Sequence, residues 1–226
     1  MINSKKKIEL ILVKIKICFL FLTFVVTTVK ITYAQKPTFE DGVIYLSKII
    51  AKQKLPQDLS DLEQVDYLYS VAIKFYQDDI SEALLALTFA TLPFDKMGVT
   101  IPLLNQKIYL KLPAVKERLF KEKVKHSPGL VYFDSDSIGN QDKDKVAHFF
   151  GNAFLAYNIS FFNLSKFMGL FVEHFEATFK ISGAVDFKDI ITNHLGELFG
   201  KSLRENPNLK PSQFFKVYSL FFFSYY

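Results

Sequence analysis

Between Asp142 and Gly200 the chain sets polar side chains and glycines at helical spacing inside otherwise apolar runs. Asp144, His148 and Asn152 fall four apart and so share one helix face, with Gly151 beside them. Asp189, Asn193, Gly196 and Gly200 follow the same rule further on, and Glu173 and Glu176 stand three apart between the two sets. A polar group inside an apolar helix is costly unless it meets a partner. Three kinds of chemistry answer that cost. The side chains can satisfy one another and fix the register of neighbouring helices. They can line a pocket for a ligand or a lipid headgroup. Or His148, Glu173 and Glu176, with His174 or His194, can supply donors to a metal or hydrolytic site. Neither His-Glu-x-x-His nor Gly-x-Ser-x-Gly occurs, however. His174 and His194 are also turned by about 100° of helical rotation from their polar neighbours. The sequence thus marks a candidate polar cluster of His148, Glu173, Glu176, Asp189 and Asn193, with Gly151, Gly196 and Gly200 as helix-packing glycines. It assigns no catalytic residue, no metal and no cofactor.

The elements that must position this cluster are helical. Periodicity predicts helices over about 144–162, 165–181 and 186–203. Upstream, Thr38 to Asp41 reads as an N-cap, and Val43, Leu46, Ile49 and Ile50 carry a helix as far as Leu55-Pro56. Ser60-Asp-Leu-Glu63 is a capping box ahead of an apolar stripe from Leu62 to Tyr76, and Asp79-Ile-Ser-Glu82 repeats the logic before Ala83 to Leu92. No fixed period links these helices, so an irregular bundle is expected rather than a repeat array. Residues 99–112 alternate as a short β-hairpin would, with Pro102 restricting it to an edge. Pro113 opens a basic helix that Ser127-Pro-Gly129 ends. The loop to Asp142 caps the next helix, and its Asp134-Ser-Asp136 start departs from a calcium loop at Ile138 and Lys145. The fold class is mainly α, an irregular helical bundle with a short β-hairpin near 99–112.

The pattern Asp-Lys-x-x-His-Phe at 144–149, the acid at Glu173, and Asp-x-x-x-Asn-x-x-Gly-x-x-x-Gly at 189–200 resemble the VanZ-like families, including the YfiM-type envelope lipoproteins. The resemblance covers about 60 residues, counted between these positions. It implies a small helical, membrane-associated domain of the cell envelope and no established chemistry. His148, Glu173, Asp189 and Asn193 match that family's recurrent polar positions, whereas Glu176 replaces its usual Gln. Gly183-Ala-Val185 stands where its Arg is often found.

Compartment follows from the N-terminus. Lysines precede an uncharged apolar run from Ile17 to Val29, and Thr32 and Ala34 sit at the minus-three and minus-one positions of a cut before Gln35. Residues 1–34 therefore read as a signal peptide, or as an uncleaved anchor. Taking the six Lys and one Glu of that segment from totals of 28 basic and 23 acidic residues leaves 22 of each. A neutral mature chain does not offer the basic surface that nucleic acid requires. Cys18 lies inside the apolar run, so the remainder has no thiol. The expected organisation is a helical region at 35–125, a linker at 126–143 and a VanZ-like domain at 144–226. The expected location is periplasmic or membrane-associated. The aromatic-rich tail from Pro211 to Tyr226 can anchor at the headgroup layer, close the bundle or end in a strand. The expected partner class is a membrane surface or envelope component, and two alternatives stand beside it. One is an enzyme or ligand-binding protein acting on a lipid or cell-wall precursor through His148, Glu173 and Asp189. The other is an adaptor holding a partner protein's helix along 35–125.

Overall fold

The computed structural model describes residues 36–56, 58–101, 106–136, 142–159 and 187–222. The signal segment expected at 1–34, the helix expected at 165–181 with Glu173, His174 and Glu176, the Gly183-Ala-Val185 segment and the last four aromatic-rich residues lie outside them.

Three capped helices open the chain. In α1 (Phe39–Ala51) the Thr38 hydroxyl accepts from the Asp41 amide and the Asp41 carboxylate accepts from the Thr38 amide. Ser60 and Glu63 make the same reciprocal pair at the start of α2 (Asp61–Phe75). Asp79 accepts from the Glu82 amide at 3.2 Å ahead of α3 (Ile80–Thr91). Each cap satisfies helix amides that have no intrahelical acceptor. Helix α1 stops several residues before Pro56, because Gln53 takes the left-handed conformation (φ 50°) and turns the chain first.

The hairpin is β1 (Lys96–Ile101) paired antiparallel with β2 (Gln106–Lys111), with Met97 opposite Leu110 and Val99 opposite Ile108. It starts a few residues earlier than alternation alone suggested. The basic helix α4 (Glu117–His126) starts later than Pro113, and Ala114 and Val115 ahead of its Lys116 N-cap are half-buried and line a groove with Ile44 and Lys48 of α1. Helices α5 (Lys143–Asn158), α6 (Phe187–Ser202) and α7 (Pro211–Phe215) follow, and a 3-10 turn over Lys216–Phe222 completes the described chain. The tail is thus helical as far as Phe222, not a strand. Its Phe215 and Tyr218 are buried.

Described residues from Pro37 onward belong to one compact unit with one core. Leu46, Leu68, Leu84 and Leu87 from the first three helices share it with Phe149, Phe150 and Phe199. Phe149 stacks on Phe215 at 4.4 Å and on Phe199 at 5.2 Å, while Tyr69 of α2 lies edge-on to Phe199 at 5.4 Å. Helix α3 packs against α5. The 126–143 segment contributes Val131 and Tyr132 to that core, so it joins two parts of one structure and separates no domains. Among the described residues no helix is long and apolar enough to cross a membrane.

Candidate functional site

Among the described residues, α5 and α6 make the most extensive helix pair. A Cβ built on Gly196 would stand 2.3 Å from the Phe149 carbonyl oxygen, and one on Gly200 would stand 2.2 Å from that of Ala153. One turn further, the Arg204 guanidinium donates to the carbonyls of Ala156 (2.5 Å) and Tyr157 (2.8 Å), which α5 leaves unpaired at its C-terminus. The partners climb together in steps of about four, so the two helices run in the same direction along their contact. Gly151 faces elsewhere. Its nearest neighbour is Thr88 Cγ2 of α3, at 3.3 Å from a built Cβ.

Ahead of the glycines on this seam lie the polar positions. The Asn152 amide donates to the His148 carbonyl at 2.9 Å, which fixes which end of that side chain is nitrogen. The same nitrogen meets Asn193 at 2.8 Å, so the Asn193 atom there is the oxygen. That oxygen lies 3.1 Å from His148 Nδ1, and an oxygen of this kind only accepts. His148 therefore carries its proton on Nδ1. A backbone carbonyl has set the tautomer through two asparagines, and the neutral ring's lone pair is left on Nε2.

That nitrogen faces charge. It lies 3.8 Å from Asp189 Oδ1, and Asp144, His148 and Asp189 each bring a ligand-capable atom within 4.8 Å of the others. Lys145 runs into the same corner, its ammonium 2.8 Å from Asp189 Oδ1 and 3.3 Å from Asp144 Oδ2. Asp189 Oδ1 is buried and takes no aligned hydrogen bond, so its contact with Lys145 is an ion pair rather than a directed bond. The chain's own ammonium thus pairs with both carboxylates and offsets one of their two charges. A divalent ion on these three ligands would have to compete with it. Chemically, the corner can accept a proton at Nε2 or hold a small polar group between His148 and the acids.

His148, Asp189 and Asn193 come together as a group. Glu173 and Glu176, expected with them, lie outside the described residues. His194 does not join them: it is half exposed and its Nδ1 sits 3.6 Å from Glu197 on its own helix. Sequence reasoning missed Lys145, which is 4 % exposed. The signal for it was a cation beside Val146 and Ala147, one residue from an acid on the polar face.

It also missed Lys188, whose ammonium reaches Asp134 (3.1 Å) and Asp142 (3.2 Å) and ties the preceding loop to the start of α6. Burial alone would lower that ammonium's pKa, but its hydrogen bonds to the two aspartates, with their charges, outweigh burial and hold it above its ordinary value. Asp142 consequently does not cap α5 with its side chain, contrary to the expected role of that loop. Its carboxylate is engaged by Lys188 and by Ser135 at 2.5 Å. Tyr132 completes the tie, its hydroxyl 2.6 Å from that of Thr192, and burial pushes its pKa upward.

Comparison with protein-family models, with curated proteins and with solved structures returned no match.

Proposed function

We propose that this chain is an exported cell-envelope protein with a structural or binding role at a membrane face, and that the α5–α6 seam serves as the register device of its helical domain. The observation that carries the structural half is the closed chain of polar contacts from the His148 carbonyl through Asn152 and Asn193 to His148 Nδ1. Asn193 is buried and His148 and Asn152 are half-buried, and polar groups at a helix seam that are spent on one another specify a packing without requiring a substrate. The envelope half is supported by the export grammar of residues 1–34, by the balanced, thiol-free remainder and by the VanZ-like pattern at 144–149 and 189–200. Phe187, Ile190 and Leu198 agree with it as exposed apolar residues on α6.

Expressing the full chain in a bacterial host with a C-terminal reporter active only outside the cytoplasm, and then fractionating the cells, tests the reading. Reporter activity in a membrane fraction is the expected result. An inactive reporter on soluble protein would overturn it.

A second reading is favoured by the Nε2 lone pair held beside Asp144 and Asp189. On it, His148 with Asp189, and with Glu173, binds or transforms a lipid or cell-wall precursor. His148→Gln separates the two. A variant that keeps its fold and loses membrane attachment or ligand binding supports the second reading, whereas a variant that loses only stability supports the first.

A further inference from the structure

Away from the seam, α1 and α4 enclose a groove of about 700 Å³. Its floor is aliphatic: Ile44 of α1, Val115 just ahead of α4 and Leu119 of α4, all half-buried. Its rim carries Lys48, Lys116 and Arg118, all exposed, and among the described residues none of the three has a carboxylate in ion-pair contact. Of the acids on α4, Glu117 pairs with Lys121 at 2.9 Å, and Glu122, which also lines the groove, lies 3.8 Å from His126 Nδ1. Helix α4 begins at this rim with Lys116 as its N-cap and no side-chain cap bond, so its first amides have no side-chain acceptor.

An aliphatic trough lined by three cations against the one carboxylate of Glu122, with an uncapped helix N-terminus beside it, matches one ligand shape: an apolar chain with an anionic head. We propose that the α1–α4 groove binds a single-chain anionic amphiphile of the long-chain fatty-acid class, its chain along Ile44, Val115 and Leu119 and its carboxylate at Lys48, Lys116 and Arg118. The inference goes beyond the reading of the seam and uses none of its residues. A failure of either leaves the other standing.

The test is displacement of a fluorescent fatty-acid probe from the full chain by palmitate and by hexadecanol, below their aggregation concentrations. The groove predicts saturable competition by palmitate at one site per chain, with the alcohol weaker by about tenfold or more, since the charged contacts are lost. The exposed double reversal Lys116→Glu/Arg118→Glu should weaken palmitate by a similar factor at an unchanged melting temperature. Reversing two cations outside the groove, Lys74→Glu/Lys111→Glu, should leave binding intact. Equal competition by acid and alcohol, an equal loss in both double variants, or no saturable competition would each overturn the proposal.

Discussion

At the scale of single residues, the seam fixes a protonation pattern before any ligand is considered. A free neutral imidazole can carry its proton on either nitrogen, and the partner of one nitrogen decides. Here the partner is the Asn193 oxygen, itself oriented by Asn152 and the His148 carbonyl. Nitrogen NMR of the His148 ring, at a pH where the ring is neutral, should report the Nδ1–H form in the native chain. It should lose that bias in Asn193→Leu. An Nε2–H form in the native chain would contradict the hydrogen-bond order derived above.

Lys123 gives a second prediction at this scale. It is fully buried, donates to the Leu92 carbonyl at the end of α3 and lies over the Phe120 ring at 4.3 Å. Burial brings its pKa down from 10.5 to about 8. Between those values the unfolded chain holds a proton that the folded chain has released. The burial penalty is therefore complete below about pH 8, and stability rises as pH climbs from there towards 10. The full shift corresponds to a change on the order of 3 kcal/mol. Denaturant midpoints at pH 7.5 and pH 9.5 should show this rise in the native chain and not in Lys123→Met. Above pH 10 the sign reverses, because burial holds Tyr76 protonated up to about 12 and the unfolded phenol releases its proton first.

At the scale of elements, the caps and faces were legible because they are local. Thr38 with Asp41, Ser60 with Glu63, and the four-residue spacing of Asp144, His148 and Asn152 each follow from a short stretch of chain. What could not be read was pairing between distant stretches: Lys145 with Asp189, Lys188 with Asp134 and Asp142, and Arg204 with the end of α5. A cation's partner depends on which helices meet, and spacing within one helix is silent on that.

The glycines test this distinction. In an exposed helix Gly→Ala stabilises by up to about 1 kcal/mol. Gly196→Ala and Gly200→Ala should do the reverse, because their new methyls would meet backbone oxygens that cannot move aside. A loss of about 1 to 3 kcal/mol or more is expected from such overpacking. Gly151→Ala meets only a Thr88 methyl at 3.3 Å and should stay close to neutral. Thermal melts of the three single variants rank them directly.

At the scale of the whole molecule, the helices before residue 126 and those after 143 bury their apolar faces against each other. Leu84 and Leu87 of α3, like Phe149 and Phe150 of α5, are fully buried in the shared core. Neither half can be removed without exposing the other. The described unit should therefore unfold in one transition, with helical and aromatic signals melting together. Two separated transitions would indicate two cores.

Among the described residues the seam is where polar groups gather between α5 and α6, and the register role proposed for it rests on one contact more than any other. A double-mutant cycle on stability, combining His148→Ala with Asn193→Ala, measures that contact. The pair should be coupled by about 1 kcal/mol, the double variant losing less than the sum of the singles, as expected of side chains that satisfy each other. Strictly additive losses would mean that His148 and Asn193 do not depend on each other, and would contradict the account of the seam as a self-satisfied lock.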